Sequence, residues 1–388
     1  MAEFTWSENI EIIVEDIPEY TEKLIFSSCF NKKIGPNILP DTIKSIKFGR
    51  NFNQHIGPDV LPKSLVSIKL HGVFNQPIGP GVLPDSLRSI HLSGNFNQLI
   101  GQNVLPESLR SIHLSGDFNR TIGENVLPNS LETILFGYQY NSPIGKNVLP
   151  NSLNHIEFGW YFNQPIGKNV LPDSLETIIF GASFDQPIGE NILPKSLKYI
   201  DFKCNFNQPI GANVLPESLI TLRLGQLFDQ YIGPNVLPKS LESITFGKHF
   251  NQQITLGVLP ESLKHIGYEY MPLNLIPDYI EHISIDNPSA ATMDVEHLPS
   301  NLKYLTICSP ELLISLNEKS RLIYFNVIFD SIIHNLYDIT YPLLCDRSNV
   351  WNDGYETIGT EIINKQKYVK IINPSCYQHR SNAKSARK

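Results

Sequence analysis

The sequence predicts a β-rich solenoid with one short parallel strand per 22-residue coil and a C-terminal capping segment. Three observations predict it. Prolines fall at 18, 40, 62, 84, 106, 128, 150, 172, 194, 216, 238 and 260, a strict 22-residue step. An aromatic stands twelve residues after each of the first eleven: Phe30, Phe52, Phe74, Phe96, Phe118, Tyr140, Phe162, Phe184, Phe206, Phe228 and Phe250. The residue after each of those rings is always Asn or Asp.

The strand comes from the L-x-x-I-x-L stretch. In residues 74–95 its apolar skeleton is Leu87, Ile90 and Leu92. Period-two alternation turns Ile90 and Leu92 inward and leaves Ser89 and His91 outward, as on a half-buried strand. Gly and Pro cluster on the other side of the unit, where the chain has to bend and return. One strand and one return cannot bury an apolar face alone, but stacked copies can. After Pro260 the phase slips by five residues, and Pro277 and Pro299 resume the 22-residue step.

Each repeated column then has an expected task. The rings form a continuous spine, and losing one buried ring costs roughly 3–5 kcal/mol. The column Asn53, Asn75, Asn97, Asn119, Asn141, Asn163 and Asn207 is expected in the turn after the strand, as a ladder of amides bonding backbone groups of their own and the neighbouring coil. A buried partner left unpaired costs ~1–3 kcal/mol, so the column reads as structural. Gly101, Gly123 and their equivalents in I-G are expected to relieve a tight or left-handed bend. Pro in L-P-x-S-L stiffens the outer return.

The chain has 388 residues, a length that alone would suggest two or three domains. The repeat assigns it instead to an N-terminal cap over 1–16, a solenoid of about fourteen coils over 17–308, a C-terminal cap over 309–361 and a basic, flexible tail over 362–388. That tail holds seven Lys or Arg and no acid, which leaves −14 on the remainder against a total of −7. An acidic chain gives no electrostatic basis for nucleic-acid binding. The start of the chain lacks a basic, then apolar, secretory leader, and no run reaches the ~18 apolar residues of a membrane span. The five scattered cysteines form no C-x-x-C pair, which points to a reducing, cytoplasmic compartment.

The core F-N-Q-P-I-G, as in Phe162–Gly167 and Phe206–Gly211, closely resembles the FNIP repeat family, a 22-residue, leucine-rich-repeat-like unit of social amoebae and giant viruses. The resemblance covers about residues 17–308 and implies a right-handed superhelix of horseshoe type. An unidentified protein partner is expected, with a host protein as one candidate, and the chain is expected to be monomeric. One departure is that Asn75 lies five residues after Leu70, where leucine-rich repeats place Asn three after the last strand Leu. Many viral relatives resemble ubiquitin-ligase adaptors with an N-terminal F-box. Here Pro18, Leu24, Phe26 and Phe30 are in phase with the repeats, so only about sixteen residues precede the first coil, too few for such a box.

If the outward strand residues line a concave face, one column there varies from coil to coil. It runs Lys47, Lys69, His91, His113, Leu135, Glu157, Ile179, Asp201, Arg223 and Thr245. The expected partner-binding residues are Lys47, Lys69, His91, His113, Glu157, Asp201 and Arg223, with Asp201 and Arg223 also readable as a ladder ion pair on adjacent coils. A ring-rich loop around Tyr138, Tyr140, Trp160 and Tyr161 adds Trp160 as a further anchor, while Tyr140 reads as a spine ring. His91 and His113 stand over each other, but two imidazoles without a third ligand make a poor zinc site. The other histidines read as scattered surface residues.

No nucleophile elbow, P-loop, dinucleotide fingerprint or H-E-x-x-H occurs in the sequence. The serines of P-x-S-L recur in nearly every coil, which suits a scaffold and not a nucleophile. The expected function is therefore a non-enzymatic protein-interaction scaffold without cofactor or metal. A ubiquitination adaptor and a structural component of an assembly are the alternatives.

Overall fold

The computed structural model describes residues 2–255, 257–268, 276–285 and 299–304, together with the backbone of further strands up to residue 372. The side chains expected to cap the array over 309–361 and the last residues of the predicted tail, 373–388, lie outside the described residues. The chain forms two compact units, Met1–Leu219 with Gly233–Pro238, and Ile220–Ile232 with Lys239–Lys388.

The first unit contains β1 (Glu3–Trp6), a single 3-10 turn (Val14–Asp16), β2 (Lys23–Phe26), β3 (Ser45–Lys47), β4 (Ser67–Leu70) and β5 (Ser89–Leu92). It continues with β6 (Ser111–Leu114), β7 (Thr133–Phe136), β8 (His155–Glu157), β9 (Thr177–Ile179) and β10 (Tyr199–Asp201). Consecutive strands pair in parallel at the repeat step, so Ser45, Ser67, Ser89 and Ser111 stand side by side. β1, from the segment assigned as the N-terminal cap, joins the same ladder through Glu3 opposite Lys23.

The second unit contains β11 (Thr221–Arg223), β12 (Ser243–Thr245), β13 (His265–Tyr268), β14 (His282–Asp286), β15 (Thr292–Met293) and β16 (Tyr304–Cys308). Then come β17 (Glu311–Ser315), β18 (Tyr324–Ile328), β19 (Thr360–Ile363) and β20 (Gln366–Ile372). β11 to β14, β16 and β18 pair in parallel, whereas β20 runs antiparallel to β17 and β19. The phase slip is a short coil: His265 pairs with His282, seventeen residues on. Among the described residues the parallel coils of both units form a β-solenoid with almost no helix.

Packing follows the alternation. Leu87, Ile90 and Leu92 are buried while Ser89 and His91 remain half-exposed. In the first unit the spine from Phe30 to Phe206, Tyr140 included, stacks with ring centroids 5.9–6.1 Å apart and planes within 12°. Paired strands lie only ~4.8 Å apart. Pure translation would displace every equivalent atom equally, so the wider spine spacing means that each coil is also rotated. The unit curves with its strands on the inner side.

A second aromatic column, absent from the sequence reading, reinforces the first. Phe48, Phe136, Phe158, Phe180 and Phe202 close their strands and stack on the spine ring of the same coil at 3.9–4.2 Å. Glycine follows at once after Phe48, Phe136, Phe158 and Phe180, whereas Lys203 follows Phe202. A Cβ on Gly159 would fall on the Gly137 carbonyl of the coil before, so only glycine lets the coils stack there.

The I-G glycines do not supply the left-handed bend expected of them. Gly101 and Gly123 lack positive φ and have room for a side chain. The left-handed position lies two residues later, at Asn37, Asp59, Asn103, Asn125, Asn147, Asn169, Asn191, Asn213 and Asn235, with φ of 57–63°. Gly81 and Gly257 occupy the same column, at φ 75° and 83°. Asn and Asp tolerate this region better than other side chains because their short polar groups bond locally.

Candidate interaction surface

Three ladders hold the coils in register and thereby fix what each coil displays. In the asparagine ladder the Oδ1 of one coil accepts the backbone N–H of the equivalent residue in the next. From Asn53 to Asn207 these bonds measure 2.8–3.1 Å. Gln76 and Gln164 add Nε2 donors to Asn53 and Asn141 at 3.1 and 3.2 Å. Asp185 and Asp229 serve as well as Asn because only an acceptor is needed. The bonds therefore cross to the neighbouring coil, and the residues are half-exposed, not buried as the sequence reading supposed; Asn119 is fully exposed.

The P-x-S-L serines form the second ladder. Ser64, Ser86, Ser108, Ser130, Ser152, Ser174, Ser196 and Ser218 each donate Oγ–H to a carbonyl of the preceding coil at 2.6–2.8 Å. The third ladder is charged: Lys44 pairs with Glu22, Arg110 with Glu132 and Lys198 with Glu176, each one repeat away.

On the outward strand face, Lys47, Lys69, His91 and His113 fall in direct register on β3 to β6. Lys47 is exposed, and the other three are half-buried. The rings of His91 and His113 lie 5.0 Å apart at 43°, and His91 Nε2 meets Ser115 Oγ at 3.1 Å. Burial first, then Lys69, His113 and His71, pushes the His91 pKa down to about 4. His113 is lowered by burial and Lys69, with Glu157 opposing. Glue between them is absent: among the described residues no group of three His, Cys, Asp or Glu is arranged to hold a metal ion.

Glu157 belongs to the same face but follows Leu135, so β7 separates it from His113. Asp201 departs from expectation. The residue is only 5% exposed, and its Oδ1 accepts the N–H of Lys203 at 2.9 Å, capping a left-handed residue (φ 56°). Lys203 Nζ also reaches Asp201 Oδ2 at 3.4 Å. A carboxylate committed to its own turn is removed from the binding column. Arg223, exposed on β11, belongs to the second unit.

Trp160 is 50% exposed and forms a separate cluster, stacked on Tyr138 at 5.7 Å, with Tyr161 edge-on to Tyr138 at 4.9 Å. Tyr140 is fully buried in the spine as expected, but its hydroxyl has no partner, and burial raises its pKa.

A second histidine stack contradicts the reading of the remaining histidines as scattered. His265 and His282 lie in the second unit with ring centroids 4.3 Å apart. His265 Nδ1 meets Ser243 Oγ at 2.9 Å and Nε2 meets Ser284 Oγ at 2.8 Å. Burial, followed by His282 and Arg223, lowers its pKa to about 4. The shared pattern L-x-H-I of Leu263–Ile266 and I-x-H-I of Ile280–Ile283 was the available signal.

With this geometry described, comparison defines the class. The FNIP Repeat family profile matches nine segments that together tile residues 9–267, and the chain belongs to that family. The match ends short of residue 308. A solved giant-virus structure described as CroV588, a novel circular LRR protein, is 40% identical to this chain. That alignment covers 86% of this chain and 51% of CroV588, with a TM-score of 0.73. A Toll–Spatzle complex from Drosophila aligns at 12% identity over 84% of this chain and 55% of that one, with a TM-score of 0.48. The chain thus spans about half the length of the structures it matches. No curated protein matches the sequence. The fold is leucine-rich-repeat-like, and no helix among the described residues is long and apolar enough to cross a membrane.

Proposed function

We propose that this chain is a non-enzymatic protein-interaction scaffold that presents its outward strand face and adjacent loops to a partner protein. One observation carries the reading. The asparagine and serine ladders hold successive coils in register, with ion pairs between some of them, yet the column between the last two strand hydrophobes changes chemistry along the array. Such a surface supplies specificity without disturbing the fold that holds it. Leucine-rich-repeat-like folds are typical of interaction scaffolds, and the ladder role of the P-x-S-L serines uses their hydroxyls structurally. The free thiols of Cys29 and Cys204 support a reducing, intracellular setting.

A photo-crosslinking residue at position 89 on the strand face, compared with position 63 on the exposed turn, tests the reading. Capture of a defined protein from position 89 and not from 63 is expected. Capture only from position 63 removes the strand face from consideration.

A further inference from the structure

The β3–β6 strip gathers positive charge in a chain whose formal net charge is −7. Lys47, Lys69, His91 and His113 stand in adjacent registers, each two residues after a serine: Ser45, Ser67, Ser89 and Ser111. Four adjacent strands span ~14 Å at ~4.8 Å per step. Arg50 extends the positive field, and burial, followed by Lys47, Lys69 and Arg50, holds the His71 imidazole in its neutral form. Like charges directly opposite one another on paired strands are destabilising. Elsewhere in the unit, Lys44, Arg110 and Lys198 each have a glutamate one coil away. Among the described residues Lys47 and Lys69 form no ion pair. An anion supplied from outside would relieve the repulsion between Lys47 and Lys69 on paired strands.

We propose that the β3–β6 strip docks an acidic, extended segment of a partner protein, laid across the coils with three alternate carboxylates spread along the row Lys47, Lys69, His91 and His113. The proposal rests on the reading of the strand face as a protein-binding surface and names the chemistry of the partner. An extended chain repeats one face every ~6.7 Å, so three alternate carboxylates match the ~14 Å strip. The serine hydroxyls beside the bases can bond the segment's backbone. Single-stranded nucleic acid fits less well, because it needs aromatic platforms for its bases. Every outward position on these four strands is Ser, Lys or His.

Docking takes up protons. Around the two imidazoles lie Lys69 and His71 at β4 and His155 and Glu157 from β8, with Lys47 two strands from His91 on β3, while β7 contributes the non-titrating Thr133 and Leu135. Burial first, and then the Lys69 charge, hold both rings neutral at pH 7 in the free protein, with Glu157 opposing at His113. A carboxylate placed beside them raises their proton affinity. The complex then binds more protons than its parts, and affinity rises as pH falls toward the histidine range.

The test is fluorescence anisotropy of the full chain with a labelled peptide of about twelve alternating Glu and Ser residues. The peptide is expected to bind. Lys47→Glu with Lys69→Glu should weaken it by roughly tenfold or more at an unchanged melting temperature. Lowering the pH from 7.5 to 5.5 should tighten binding several-fold, and His91→Gln with His113→Gln should abolish that gain. No binding, equal binding by the charge-reversed variant, or tighter binding of a single-stranded oligonucleotide overturns the proposal. If position 89 still captures a partner whose binding ignores the charge reversal, the scaffold reading stands and the acidic occupant falls. If position 89 captures nothing, both fall.

Discussion

Asn163 shows how much one repeated residue can carry. Its Oδ1 accepts both the Asp185 backbone N–H and the Gln186 Nε2 at 3.0 Å, whereas Gln164 contributes one bond, at 3.2 Å. Asn163→Ala is therefore expected to cost ~1–3 kcal/mol, clearly more than Gln164→Ala, in denaturant unfolding. Asn163→Asp should come closer to the native protein, because Asp185 already fills this role one coil on. Equal melting temperatures for the two alanine variants would refute the ladder. Tyr140 offers the opposite test. Its ring stacks between Phe118 and Phe162, but its hydroxyl is buried without a partner. Tyr140→Phe keeps the stack and removes the orphan, so a gain of about 1 kcal/mol, read as a higher melting temperature, is expected.

At the scale of the element, β12, β13 and β14 enclose an imidazole kept neutral. The folded pKa of His265, about 4, lies below the ~6.5 of an unfolded histidine. Between those values the unfolded chain binds more protons, so stability is fully present above pH ~6.5 and is lost as pH falls toward 4. The denaturant midpoint should drop over this window, and His265→Gln should flatten the drop.

The same elements show what was legible in sequence. Strand position, inward alternation, the spine and the ladder all follow from columns that repeat exactly. The His265–His282 stack was hidden because its coil is seventeen residues long, so counting by 22 never aligned the pair. The left-handed residue was misassigned to the glycine of I-G, since glycine is the usual signal, while an Asn in the same turn occupied that conformation. Asp201 looked outward by alternation, but a local turn competed for its carboxylate and drew it in.

For the whole molecule, period outweighs composition. Removal of residues 97–118 joins Phe96 to Asn119 and leaves every column in phase, so a folded protein with one coil fewer is expected by circular dichroism and thermal unfolding. Removal of 98–118 is shorter by only one residue, but it leaves an extra residue in the turn that carries the asparagine ladder. A lower melting temperature than that of the 22-residue deletion is expected there.

The asparagine and serine ladders also share a direction. In both, the later coil donates to an acceptor that the earlier coil already holds out, from Asn9 and Asn31 onward. A ribosome releases the chain in that same order, at ~5–20 residues per second, which is one coil every ~1–4 seconds. Each emerging coil meets a finished acceptor row, so the array can be laid down course by course during synthesis.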